Sequence, residues 1–135
     1  MKVLVDTAVW SLALRRRNSN RSVVTTRLAA LVEKGLVAII GPIRQELLSG
    51  VREQAQFERL REQLRAFPDT PITLEDYELA AAFYNECRGK GLQGSNTDFL
   101  ICAAAVRNEY AIFTTDDDFV HFSQWLPIAL HPATA

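Results

Sequence analysis

An α/β fold with helices layered around a short, mostly parallel sheet is predicted by three observations. Apolar runs at 2–5 (KVLV), 36–40 (LVAII) and 111–114 (AIFT) alternate with segments of helical periodicity. The run at 36–40 has no polar residue and is rich in β-branched side chains, the pattern of a strand buried on both faces. Finally, 135 residues with 48% hydrophobic and 23% charged side chains suit one globular domain spanning 1–135.

The elements follow in order. The strand at 2–5 ends at Asp6, and VWSLAL at 9–14 reads as a helix whose Trp10, Leu12 and Leu14 face the core or a partner. Asn18 to Asn20 is a loop, and Arg15, Arg16 and Arg17 suit a helix C-terminus. A second helix starts at Ser22, uses Leu28, Leu31 and Val32, and stops at Lys34-Gly35. After the strand at 36–40, Gly41-Pro42 opens a third helix. Between Arg52 and Phe67, the residues Phe57, Leu60, Leu64 and Phe67 recur at helical spacing on a charged background, and Pro68 and Pro71 bracket the exit. Thr73 to Asp76 is a capping box for a helix reaching Arg88; Ser95 to Asp98 is another for the helix holding FLICAAAV, which is apolar all round and so buried. Pro127 to Leu130 is a candidate edge strand after 111–114.

Composition narrows the function. A chain of this size buries a working core without staples, and Cys87 and Cys102 sit in apolar helical segments as free thiols. A soluble protein of the reducing cytoplasm is expected, with no signal peptide and no apolar run near membrane length. Net charge is -1, yet residues 1–65 carry 12 basic and 6 acidic groups against 3 and 10 in 66–135, which is +6 against -7. Twelve of the 15 cations are arginine, so the first half has either an anionic partner or a salt-bridged surface, as the spacing of Arg59, Glu62 and Arg65 allows.

The acids carry the chemistry. Asp6 follows the first strand; Asp116, with Asp117 and Asp118 beside it, follows the last. Asp98 opens the buried helix, and Glu46 lies just after Gly41-Pro42, past the strand at 36–40. In a parallel sheet these points share the carboxyl edge, where sites of α/β folds form. Each acid alone suits a helix N-terminus, at about 0.3 to 1 kcal/mol. Two carboxylates about 5 Å apart repel by roughly 3 kcal/mol at an effective dielectric near 20, so a gathering of them needs a cation. Oxygen donors suit Mg²⁺ or Mn²⁺, and such an ion activates water against a phosphodiester. Thr7 and Thr115 are candidates for orienting a carboxylate or the water, whereas Thr114 reads better as a strand residue. His121 and His131 read as surface or packing residues, and Ser49 lacks a nucleophile-elbow setting. GKGLQG at 89–94 matches a dinucleotide fingerprint but follows a helix, so it reads as a loop. An aspartyl phosphatase is disfavoured by Ala8 where that chemistry needs a second acid.

Taken together, VDT at 5–7, PIRQELLSG at 42–50, NTDFLICAAA at 96–105 and FTTDDDF at 113–119 resemble the PIN-domain ribonucleases, and more narrowly the VapC toxins of bacterial toxin–antitoxin pairs. The resemblance runs from about Lys2 to Phe119. It implies a three-layer α/β/α sandwich, a Mg²⁺- or Mn²⁺-dependent endoribonuclease, a homodimer, and a small VapB-like antitoxin that wraps the toxin. Residue by residue, it implies catalytic Asp6, Glu46, Asp98 and Asp116, with Asp6, Asp98 and Asp116 as metal ligands and Asp118 as a further acid of the last motif. The alternatives are a PIN nuclease of RNA maturation or of DNA, and a catalytically silent module binding RNA or a partner.

Overall fold

The computed structural model describes residues 1–14 and 23–132. Strands β1 (Val3–Val5), β2 (Val37–Ala38) and β3 (Ala111–Phe113) form a parallel sheet in the order β2-β1-β3. Val3 pairs with Val37 on one side and Ala111 on the other; Val5 pairs with Phe113. Seven helices occur among the described residues: α1 (Thr7–Leu14), α2 (Val23–Glu33), α3 (Gly41–Leu48), α4 (Gln54–Leu64), α5 (Leu74–Gly89), α6 (Asn96–Asn108) and α7 (Asp118–Phe122). The chain leaves β1 for one neighbour and later crosses back to the other. Right-handed crossovers therefore place α1 and α2 on one face and α5 and α6 on the opposite one, the α/β/α arrangement expected.

The most buried layer is α6, in which every residue from Phe99 to Ala105 is buried. Its run of Cys102 and three alanines lets it lie close against both β3 and α5. Both expected capping boxes form, Thr73 with Asp76 and Ser95 with Asp98. Asp76, only 2% exposed, also pairs with Arg107 at 2.9 Å and ties the start of α5 to the end of α6.

Several expectations need adjustment. The apolar run at 36–40 contributes only two ladder residues, after which Ile39 bridges to Asp69. The candidate edge strand at 127–130 reduces to a bridge between Ile112 and Leu130, beside which His131 N–H donates to Ile112 O at 2.7 Å. The helix expected over 52–67 runs from Gln54 to Leu64, and Arg44 donates to the carbonyls of Leu64 and Phe67, satisfying groups that a helix end leaves open. The unexpected α7 forms where the sequence lacks a long apolar period: Phe119 and Phe122, one turn apart, are buried and supply the order. The expected helix start at Ser22, the loop at Asn18 to Asn20 and the Arg15 to Arg17 run lie outside the described residues. Among the described residues, no helix is long and apolar enough to cross a membrane.

Candidate active site at the carboxyl edge of the sheet

Asp6 leaves the end of the central strand and is held on three sides. Its backbone N–H donates to Phe113 O at 2.9 Å, its Oδ1 accepts the Thr7 N–H at 2.7 Å, and its Oδ2 accepts the Thr114 hydroxyl at 2.7 Å. The same Thr114 oxygen accepts the Asp116 N–H at 3.0 Å, and Asp116 Oδ1 accepts the Asp118 N–H at 2.9 Å. On the other side, the Thr7 hydroxyl donates to Glu46 Oε1 at 2.7 Å. Hydrogen bonds thus run unbroken from α3 through the ends of β1 and β3 to the first residue of α7.

Asp98 enters from the first turn of α6. Its Oδ2 accepts the Ser95 N–H at 3.0 Å, so the cap that starts the helix also fixes this carboxylate. The aspartates act on one another's charge. Burial pushes the Asp6 carboxyl above its ordinary range; the bonds from Thr114 and Thr7 pull the other way, and the charges of Asp98 and Asp116 add to the rise. Asp98 is also raised, first by burial and then by Asp116 and Asp118, against the pull of Ser95. The buried thiol of Cys102, one turn beyond Asp98, is pushed far up by burial and further by Asp98, Cys87 and Asp6.

Not every candidate joins in the same way. Glu46 is exposed and meets Asp6 only through Thr7. Thr115 is exposed and makes no hydrogen bond among the described residues, whereas Thr114, read from sequence as a strand residue, is buried and bridges two aspartates. The correction follows from register: Val5 pairs with Phe113, so the next residues, Asp6 and Thr114, stand side by side. His131 packs its ring edge-on to Phe113 at 5.2 Å, as a packing residue should. Gly94, the last glycine of the 89–94 loop, answers a close approach: a Cβ there would lie 2.7 Å from Phe122 Cζ and 2.9 Å from Phe99 Cε2. Phe99 and Phe122 stack at 4.8 Å and Phe122 meets Phe119 at 5.4 Å, so an aromatic cluster joins α6, bearing Asp98, to α7 beside Asp116 and Asp118.

The donor set is entirely oxygen, and the hydrogen bonds leave acceptor capacity on Asp6, Asp98 and Asp116. As arranged, no three carboxylate, histidine or cysteine side chains among the described residues close into a metal-holding group. The oxygen donors themselves are of the type that hard cations such as Mg²⁺ or Mn²⁺ accept.

A family model described as PIN domain matches residues 3–124. Among solved structures, the chain is similar to VapBC2 from Rickettsia felis bound to a DNA fragment from their promoter, at 19% identity and TM-score 0.77 over 97% of this chain and 98% of that one. It is also similar to VapBC-1 from nontypeable Haemophilus influenzae, at 13% and 0.77 over 100% of both chains. FitAcB from Neisseria gonorrhoeae matches at 18% and 0.76 over 97% of both. No curated protein matches the chain. At these identities the structural likeness shows a shared fold.

Proposed function

The chain belongs to the PIN domain family, and from that premise we propose that it is a single-domain, Mg²⁺- or Mn²⁺-dependent endoribonuclease, the toxin of a type II toxin–antitoxin pair. The observation that carries the reading is the hydrogen-bonded chain that joins Asp6, Thr114 and Asp116 at one sheet edge, beside an Asp6 carboxyl raised by burial and by the charges of Asp98 and Asp116 and an Asp98 carboxyl raised by burial and by Asp116 and Asp118. Such an arrangement costs folding stability and is commonly retained for chemistry. The VapBC likeness supports a small antitoxin as partner, and the family resemblance supports a homodimer and a cytoplasmic setting.

In this reading Asp6, Asp98 and Asp116 would hold the ion, drawing together on binding it, and the ion would supply charge stabilisation and an activated water at the phosphodiester. Thr114 orients Asp6 and, through the Asp116 N–H, the loop that carries the third carboxylate. Ser95 sets the rotamer of Asp98. Glu46, steadied by Thr7 and exposed, faces solvent where an attacking water or a second ion would sit, and Asp118 adds negative charge at the rim. The buried aromatic cluster keeps bulk water from the underside.

The test is cleavage of a single-stranded RNA by the purified chain, with chelator, then with Mg²⁺ or Mn²⁺ restored. Fragments are expected only with metal and none from Asp6→Asn. RNA bound equally well with chelator and never cut would point to a silent module, and full activity of Asp6→Asn would refute the site.

A further inference from the structure

Helix α3 has two working faces. Glu46 reaches the carboxylate edge from one; Arg44 and Leu48, one turn apart, line a cleft of about 450 Å³ on the other, completed by Arg61, Arg65, Phe67, Pro68 and Asp69, whose carboxylate is taken up by Arg44. Its arginines differ in what already holds them. Arg44 is fully engaged, by Asp69 at 2.8 Å and by the carbonyls of Leu64 and Phe67, so its role is to build the wall. Among the described residues, the one ion pair of Arg65 is to Glu62, at 4.0 Å between side chains 64% and 72% exposed, a pairing worth little in water. Arg61 makes no hydrogen bond or ion pair among the described residues, although its Nε is shut away from solvent. The buried Nε cannot itself meet a ligand, but the terminal nitrogens of this half-buried guanidinium are not shut away and are open to an anion. The neighbouring Phe67 ring is fixed edge-on against Trp10 at 5.2 Å, giving the cleft a rigid apolar wall beside its free cations.

We infer that this cleft is a subsite for single-stranded RNA, Arg61 and Arg65 taking a backbone phosphate and Phe67 with Pro68 receiving the adjoining base. Alternating phosphate and base is the repeat that cations beside an aromatic ring recognise. An acidic polypeptide would also satisfy the guanidiniums, and the test below separates it from RNA. Position argues the same way: cleft and carboxylates are separated by the width of one helix, about 10 Å, which a few nucleotides span. The inference rests on the nuclease reading and narrows it, because of the many arginines in residues 1–65 it selects two and assigns Arg44 to structure.

The test is fluorescence anisotropy of a labelled single-stranded RNA with the full chain in chelator, as a function of salt. Arg61→Gln with Arg65→Gln is expected to weaken binding tenfold or more and to flatten the salt slope by about 0.7 for each phosphate no longer neutralised. Lys34→Gln, a surface cation at the end of α2, is expected to change neither. Arg65→Glu, on an exposed side chain, keeps the test intact if the Arg61 variant fails to fold, and should weaken binding as well. Cleavage by the wild-type chain with Mn²⁺ scores the nuclease reading separately. Cleaving wild-type protein and undiminished RNA affinity in the double variant would overturn the cleft alone. RNA neither bound nor cut by the wild type would overturn both. Loss of polyglutamate binding with RNA binding unchanged would assign the cleft to an acidic polypeptide and overturn the inference.

Discussion

Replacing Thr114 by valine removes one hydroxyl and keeps the shape, so it isolates what that oxygen does. Thr114 Oγ1 donates to the buried Asp6 carboxylate at 2.7 Å and accepts the Asp116 N–H at 3.0 Å. A hydrogen bond to a charged group contributes about 1.5 to 3 kcal/mol and one between neutral groups about 0.5 to 1.5. The variant should therefore lose about 2 to 4.5 kcal/mol at neutral pH, lowering the unfolding midpoint by roughly 7 to 16 °C for a chain of this length. The loss has a pH signature. The hydroxyl favours the ionised form of Asp6 and restrains a carboxyl that burial has raised; without it that carboxyl rises further. The difference between the two proteins should be smallest in acid, where Asp6 is protonated in both, and grow as pH rises through the Asp6 titration. Urea unfolding followed by tryptophan fluorescence, at neutral pH and near pH 4, measures both quantities. A neutral-pH difference under about 0.5 kcal/mol, or one that does not change with pH, would refute the reasoning; Thr114→Ser should keep most of the stability.

Other substitutions probe neighbouring steps. Asp98→Asn should stabilise the metal-free protein at neutral pH by about 0.5 to 2 kcal/mol while abolishing cleavage. The sign follows from the raised folded-state pKa of Asp98: the native state is favoured while the group is protonated and loses that advantage as pH climbs past its folded pKa, a loss asparagine never incurs. The gain should vanish below pH 4, which thermal unfolding across pH will show. Gly94→Ala should cost about 1 to 3 kcal/mol in urea unfolding, since the new methyl meets two buried rings, and should slow cleavage by shifting Asp98 against Asp116. Phe122→Ala should cost about 3 to 5 kcal/mol for a fully buried phenylalanine.

Much of the fold was legible because its signals are local. Apolar β-branched runs named the three strands, Thr73 and Ser95 announced two helices by their own capping partners, and parallel topology gives reason to expect Asp6, Asp98 and Asp116 toward one edge. What escaped depends on contacts between distant residues. Thr114 and Asp6 lie 108 positions apart, and only the register of β1 against β3 distinguishes Thr114 from Thr115. Arg44 is one more surface cation in the sequence, and its role appears only where the end of α4 folds onto it. Helix α7 owes its order to Phe119 and Phe122 packing with Phe99, a tertiary cause without a periodic pattern in so short a segment.

The central claim is that these carboxylates gather to take a divalent cation, and titration of Mn²⁺ followed by electron paramagnetic resonance tests it most directly. The wild-type chain should bind Mn²⁺ saturably at neutral pH and more weakly as pH falls through the raised carboxyl titrations, and Asp6→Asn and Asp98→Asn should each remove most of that binding. Mn²⁺ left free in excess protein, or bound equally well by both asparagine variants, would contradict it.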